Sequence, residues 1–325
     1  MVWSEYLTSV CREYAQWWQV YTFTDVVGCQ QDEPESSIPL LDLGLMVQTV
    51  GRQQDEGDKE RDRAEEKEKI ERLGVLEGLQ KYAAEHVLLV GRPGSGKSTA
   101  LARLLLEAAQ QAQSEPQAGI PVLVELRYYQ TSILDLMRDF LKRHRVLLSV
   151  SELEELLFQG KFLLLVDGLN ELPSEAARRN MMAFRQAYPA TPMVFTTRDL
   201  GVGGDLDIAK KLEMQPLKEV QMQQFVRAYL PEQGEQMLRQ LDRRLREFGQ
   251  TPLLLWMLCS LFKSVGQVPP NLGLVFRRFT QSYDQKLKQA MPANRESRRW
   301  WPRLLQHLAW VMIQAYIQQV AQHRK

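Results

Sequence analysis

The chain is poor in cysteine and has almost no net charge. These two shortages argue against a protein held together by disulfides or zinc and against one that binds nucleic acid or membranes through a general positive charge. Its 325 residues include 3 cysteines, and Cys11, Cys29 and Cys259 have neither the number nor the spacing of a disulfide framework or a zinc site. The 41 basic and 40 acidic side chains leave a net charge of +1, so no general basic field favours nucleic acid or a membrane surface. We expect a globular protein with reduced thiols.

Neither a secretory leader nor a membrane-spanning helix is predicted from the sequence. The first residues, Met1–Glu5, have no cationic lead and no apolar core. Apolar runs such as Leu253–Leu261 fall well short of the ~20 residues that a spanning helix needs. We therefore predict a cytoplasmic protein without a membrane partner, and Cys259 is interpreted as a core residue.

Residues 1–50 are predicted to hold an aromatic helix over 3–21 and an irregular segment over 29–52. The helix is indicated by large apolar residues at steps of three and four, which form one face. They are Trp3, Leu7, Val10, Tyr14, Trp17 and Tyr21. Packing on the body of the same chain is favoured over an exposed partner site. Mixed charges over 51–74 predict a linker or a solvated helix.

From 75 to 217 short apolar strands alternate with helices, which is typical of a parallel sheet covered on both faces. The predicted strands are 86–90, 121–126, 162–166, 193–197 and 212–214. The predicted helices are 132–144, 151–158 and 174–187. A capping box of Ser151 and Glu154 and a terminating Gly160 support the second helix.

Only helices are predicted beyond residue 217. The segment 218–292 is interpreted as a helical domain with helices over 219–230, 233–248, 252–263 and 272–289. Thr251 followed by Pro252 indicates an N-cap with proline in the first turn. Residues 293–325 hold a further predicted helix over 303–322.

A glycine loop between the first of those strands and a helix is the most specific motif. It fits the pattern GxxxxGK[ST] in the required context of strand, loop and helix. Its residues are Gly91, Arg92, Pro93, Gly94, Ser95, Gly96, Lys97, Ser98 and Thr99. Backbone N–H groups and the helix N-terminus point at an anion, and Lys97 adds a full charge. The motif predicts a P-loop that holds nucleotide phosphates, with the Ser98 hydroxyl on Mg²⁺.

A second set of residues follows the strand 162–166, which we expect to neighbour the loop's strand. Asp167 is the candidate for the metal shell. Asn170 is a candidate for orienting water or the metal shell, and Glu171 is the candidate general base for attack of water on the γ-phosphate. Arg198 follows the strand 193–197, from where it could contact the γ-phosphate, although a surface arginine explains it equally well from chemistry alone.

The order and spacing of these motifs resemble those of NACHT-family NTPases, of the STAND class of signalling ATPases. The resemblance rests on the glycine loop, on the segment 167–172, on Thr197–Arg198 and on the run Thr251–Leu255, and it covers roughly residues 75–290. The residues of these motifs resemble those of bacterial, particularly cyanobacterial, members of the family. The resemblance implies an α/β P-loop NTPase fold of AAA+/STAND type, a parallel sheet flanked by helices and followed by an all-α domain.

The resemblance also implies a function. It implies a switch that rests with ADP, exchanges it for ATP, oligomerises and activates an effector. Arg198 would be the sensor arginine, and Pro252 would lie near the adenine. Residues 293–325 would begin a truncated winged-helix domain, and the sensor and effector partners stay unknown.

Three other functions stay open from the residues. A small-molecule kinase needs an arginine-rich lid, for which Arg178–Arg179 and Arg243–Arg244 are the available pairs. A DNA loader or remodeller needs a basic surface, and arginines do gather over 277–303, although nucleic acid is not otherwise indicated. A binding-only module would hold nucleotide without hydrolysis. GTP is as compatible with a P-loop as ATP, because the loop contacts phosphates and not the base.

Overall fold

The computed structural model describes residues 2–16, 44–50, 70–115, 117–198, 206–241 and 249–279, together with 281, 303, 307, 310 and 311. The described residues up to Val268 belong to one compact unit, and those from Pro269 onward belong to a second. In the second unit, residues 272–279 are helical. Most of the predicted helix 303–322, and most of 293–325, lies outside the described residues.

The first unit contains seven strands and nine helices of eight residues or more among its described residues. The strands are β1 (Met46–Thr49), β2 (Arg72–Gly74), β3 (Val87–Val90), β4 (Ile120–Glu125), β5 (Phe162–Asp167), β6 (Met193–Thr197) and β7 (Lys210–Met214). The helices are α1 (Val2–Tyr14), α2 (Val75–Tyr82), α3 (Lys97–Ser114), α4 (Ile133–Arg143), α5 (Val150–Phe158), α6 (Glu175–Ala187), α7 (Glu219–Tyr229), α8 (Gly234–Leu241) and α9 (Pro252–Val265).

All seven strands form one sheet in the order β2-β1-β7-β3-β6-β5-β4. The five strands from β7 to β4 run parallel, with β3 paired to β6 on one side and to β7 on the other. Every residue of β3 is buried, as expected of a central strand with both faces covered. The predicted α/β fold with a mainly parallel sheet is confirmed.

The two strands β1 and β2 correct the prediction for the region before residue 75. Residues 29–52 were expected to be irregular, and 51–74 to form a linker or helix. Instead β1 pairs antiparallel with β7, and β2 pairs antiparallel with β1. Both therefore extend the sheet that carries the glycine loop. The domain boundaries placed at 50, 74 and 217 stay a prediction.

The start of α5 corrects a second prediction. The helix was expected to begin at Ser151 with a capping box to Glu154, but its N-cap is Ser149, whose hydroxyl accepts from the Glu152 N–H at 3.3 Å. The Glu152 carboxylate accepts from the Ser149 N–H at 2.8 Å and completes the box. Gly160, with φ 63°, follows the helix end as predicted.

The aromatic helix α1 packs on the body of the same unit, as predicted for the part described. It lies against α3, and Tyr6, Leu7, Val10 and Tyr14 are all buried. The Tyr6 hydroxyl donates to the Pro121 carbonyl at 2.6 Å, which ties α1 to strand β4. Trp17 and Tyr21 lie outside the described residues.

Among the described residues, no helix has both the length and the hydropathy needed to cross a membrane.

Because Tyr6 is completely buried and hydrogen-bonded, we expect Tyr6→Ala to lower the free energy of unfolding by about 3–5 kcal/mol. Urea denaturation measures this as a shift of the midpoint. Ser4 is exposed on the same helix, and Ser4→Ala is the control, with an expected change within about 0.5 kcal/mol. A similarly small effect of Tyr6→Ala would contradict the docking of α1.

Candidate functional site

The glycine loop joins β3 to α3 in a conformation that two of its glycines make possible. Gly96 has φ 95°, a region that residues with a Cβ rarely adopt. A Cβ on Gly91 would lie 2.7 Å from the Ser95 hydroxyl and 2.9 Å from Met214. The main chain therefore approaches its neighbours too closely for any larger residue at position 91.

The inside of the loop has the chemistry of an anion site. Gly96 is the N-cap of the 18-residue helix α3 and has no side chain to cap the first N–H groups, which are without intrahelical partners by geometry. The Ser95 hydroxyl is buried and has no hydrogen-bond partner among the described residues. A phosphate would satisfy these donors and would gain from the positive end of the helix.

Lys97 begins α3 and turns back over the loop. Its ammonium donates to the Gly91 carbonyl at 2.6 Å and to the Arg92 carbonyl at 3.2 Å, and the residue is 8% exposed. Burial lowers the pKa of Lys97 to about 8. The Asp167 carboxylate acts in the opposite direction and raises this pKa, but its effect is smaller than that of burial. The charges of Arg198 and Glu171 also act on this pKa, so the four predicted charged residues share one electrostatic neighbourhood.

The sheet order changes how Asp167 relates to the loop. Asp167 ends β5, which was expected to neighbour the strand of the loop. Strand β6 lies between them instead, since β6 pairs with both β3 and β5. The ends of three parallel strands therefore meet at one edge, with the loop on the first, Arg198 after the second and Asp167 on the third.

Thr196 on this intervening strand is a site residue that the sequence reasoning missed. Its hydroxyl donates to the Asp167 carboxylate and accepts from the Gly168 N–H at 2.9 Å. Threonine is a common strand residue, so its type gave no signal. A polar side chain at the carboxyl end of a buried strand was the available clue.

The segment after β5 contacts the segment after β6 through two bonds to Arg198. The Arg198 N–H donates to the Asn170 side-chain oxygen at 3.0 Å, and its guanidinium donates to the Glu171 carboxylate at 3.0 Å. Arg198 keeps 55% of its side chain exposed. The structure therefore brings together Asn170, Glu171 and Arg198, as the sequence predicts, and adds an ion pair that it did not predict.

Helix α9 lies against the outside of the loop. The Leu253 N–H donates to the Gly94 carbonyl at 3.3 Å, and the Leu253 Cβ lies 2.6 Å from where a Cβ of Gly94 would be. The Arg92 guanidinium donates to Gln250 at 2.9 Å. Thr251 caps the helix and Pro252 occupies its first turn, as predicted. Pro252 is thus adjacent to a residue that contacts the loop.

These residues fit a nucleotide phosphate with a divalent cation. The loop supplies N–H donors and an ammonium, while Ser98 in the first turn of α3 and Asp167 supply oxygen ligands of the kind that Mg²⁺ prefers. Pro93 is exposed at the loop tip, and Thr99 is half-buried beside Ser98. The individual roles assigned to the loop residues, Asp167, Asn170, Glu171, Arg198 and Pro252 stay predictions.

A mainly parallel sheet with this loop after its central strand defines a P-loop NTPase. The model of the NACHT domain matches residues 85–233, so this part of the chain is similar to NACHT domains. The match spans the glycine loop, the segment after β5 and Arg198.

No curated protein matches the chain. Among solved structures, domain III of the replication initiation protein DnaA of Thermotoga maritima aligns with 63% of this chain and 90% of its own, at 13% identity and a TM-score of 0.37. The Orc1 protein of Aeropyrum pernix, solved in complex with DNA, aligns with 66% of this chain and 68% of its own, at 15% identity and a TM-score of 0.44.

We expect the affinity for ADP to fall as the pH rises through about 8, the pKa of Lys97. Above that pH the ammonium must regain a proton before it can pair with phosphate, so the loss between pH 7 and pH 9.5 should reach about 30-fold. Titration calorimetry in buffers of different ionisation enthalpy measures both the affinity and the proton uptake.

Lys97→Arg is the control for this titration, because a guanidinium keeps its charge over the whole range. Its ADP affinity, at whatever level, should not change with pH. A wild-type affinity that is equally flat would contradict contact between Lys97 and the phosphates.

Proposed function

We propose that this protein is a nucleotide-dependent molecular switch that binds and slowly hydrolyses ATP with Mg²⁺. The nucleotide state is proposed to drive a conformational change and homo-oligomerisation that act on a separate sensor or effector, in bacterial signalling or defence. GTP is the alternative nucleotide, since the loop recognises phosphates. The NACHT match and the glycine loop support nucleotide binding. The role as a switch, with slow hydrolysis and oligomerisation, is what we propose.

The observation that carries the proposal is the ion pair between Glu171 and Arg198. Arg198 is a half-exposed cation that pairs with the proposed base at 3.0 Å, and a γ-phosphate would compete for it. While the two residues are paired, the guanidinium occupies Oε1 of Glu171, one of the two oxygens that could take a proton from water. Transfer of Arg198 to the γ-phosphate would free that oxygen, so activation of the base is proposed to be coupled to triphosphate binding.

In the proposed reaction each residue has one role. Lys97 and the loop N–H groups bind the β- and γ-phosphates. Bound Mg²⁺ would neutralise phosphate charge, held through Ser98 and Asp167. Glu171 would accept the proton of the attacking water, which Asn170 would orient.

The contact between α9 and the glycine loop supports a conformational role. Leu253 lies directly on Gly94, so a phosphate that changes the position of this part of the loop would displace the first turn of α9. The helices α7, α8 and α9 follow one another in the chain and pack together, with α7 in contact with α8 and with α9. Movement at Leu253 would therefore be transmitted to this helical group.

The kinase alternative receives less support. Arg178 is paired with Glu175 at 3.3 Å on the surface of α6, as expected of a solvated helix face and not of a lid. The pair Arg243–Arg244 lies outside the described residues. A DNA-dependent activity stays an alternative that a salt-dependent mobility shift with duplex DNA would test.

We expect Glu171→Gln to lower the rate of ATP hydrolysis by about 10²- to 10⁴-fold, because the amide cannot accept the proton of water. Its dissociation constant for ATP should stay within about 3-fold of wild type. Phosphate release and equilibrium binding measure the two quantities. Glu175→Gln, at an exposed glutamate on α6, is the matched control and should leave both unchanged.

Three outcomes separate the functions. Unchanged hydrolysis in Glu171→Gln would show that Glu171 is not the base. Binding without any hydrolysis by the wild type would favour the binding-only module. The nucleotide function itself would be refuted if the wild type bound neither ADP nor ATP and could not be distinguished from Lys97→Ala in the same binding assay.

We expect α9 to differ in amide hydrogen exchange between the ADP-bound protein and the protein bound to a non-hydrolysable ATP analogue. Leu253→Ala should reduce that difference, because it removes the contact with Gly94. Leu254→Ala is the matched control, since this half-buried leucine lies one position further along the same helix. Size-exclusion chromatography of the same samples tests assembly. Identical exchange and size with the two nucleotides would contradict a switch.

A further inference from the structure

Thr196 lies between the two halves of the site. It is 1% exposed and belongs to β6, the strand that separates the loop strand β3 from β5. The register pairs Val166 with Phe195, so the next residues along, Asp167 and Thr196, lie side by side at the carboxyl ends of their strands. Paired residues of neighbouring strands point to the same face of a sheet.

The hydrogen bonds of Thr196 leave its hydroxyl one orientation. The oxygen accepts from the Gly168 N–H at 2.9 Å, and the single hydroxyl proton is donated to Oδ1 of Asp167. Because the hydroxyl is buried, loss of either bond would leave a polar group unpaired away from water, which is costly. The Asp167 carboxylate is therefore held in one rotamer, with Oδ1 engaged.

We propose that Thr196 is a positioning residue that orients Asp167 as a metal ligand and thereby sets the Mg²⁺ dependence of nucleotide binding. The bond engages Oδ1 of the carboxylate that would hold the metal. This inference rests on the proposed function. Partners that hold a metal ligand in place commonly account for 10- to 100-fold in metal affinity.

The test measures ADP binding by the full chain as Mg²⁺ is titrated, and again in EDTA. Thr196→Val keeps the β-branched shape and removes the hydroxyl. It should leave the metal-free affinity for ADP within about 3-fold of wild type and raise the Mg²⁺ concentration for half-maximal enhancement by about 10- to 100-fold. Thr196→Ser retains the hydroxyl and should restore the wild-type Mg²⁺ dependence to within a few-fold.

A purely structural role for Thr196 would give a different result. Thr196→Val would then weaken ADP binding equally with and without Mg²⁺, and this outcome overturns the proposal. Thr196→Ala, measured in the same way, provides a second removal of the hydroxyl if the valine variant does not fold. Addition of Thr196→Val to Asp167→Asn should change the Mg²⁺ dependence no further, because the hydroxyl acts through that carboxylate. An independent effect in that background also overturns it.

Failure of the proposed function gives a distinct result. A wild-type protein that binds no ADP refutes the nucleotide site and this inference with it. ADP binding that does not respond to Mg²⁺ leaves the nucleotide site in place and refutes the metal role of Asp167, and this inference with it. A wild-type protein with clear Mg²⁺ dependence that Thr196→Val leaves unchanged refutes only the role of Thr196.

Discussion

The buried ammonium of Lys97 is the constraint on which the rest of the site depends. A charge with so little exposure must be compensated, and here two carbonyls of its own loop accept its protons. That geometry requires the loop to turn back tightly at the end of β3, which lies between β6 and β7 in the sheet. It also requires acidic groups nearby, and Asp167 at the end of β5 is the strongest of these.

The strand β6 connects this charge to the remainder of the site. Thr196, near the carboxyl end of β6, donates to the Asp167 carboxylate, and Arg198, the first residue after β6, donates to the Glu171 carboxylate. Polar groups at the end of a buried strand are costly unless they are hydrogen-bonded, so each group restricts its partner. The acids and the arginine therefore form one network, although they come from segments about thirty residues apart in the chain.

The sequence predicted those elements whose signals are local. The glycine loop, the caps at Thr251 and Gly160, and the apolar runs of the parallel strands all lie within a few consecutive residues. The strands β1 and β2 were missed because they are four and three residues long, too short for a repeating pattern, and because each forms only by pairing with distant residues. The start of α5 was misplaced by two residues because Ser149 and Ser151 are each followed three positions later by a glutamate, and only the folded chain selects between them.

The amino-acid sequence was sufficient to predict the glycine loop, since its strand, glycines, lysine and helix are contiguous. It also indicated which acids and which arginine lie at or just after the ends of strands. The folded structure was needed to show that β6 separates β3 from β5, that Thr196 donates to Asp167, that Glu171 pairs with Arg198 and that Leu253 lies on Gly94. Those contacts depend on strand order and on the packing of α9, which arise from burial of distant apolar surfaces against one another and leave no local pattern in the chain.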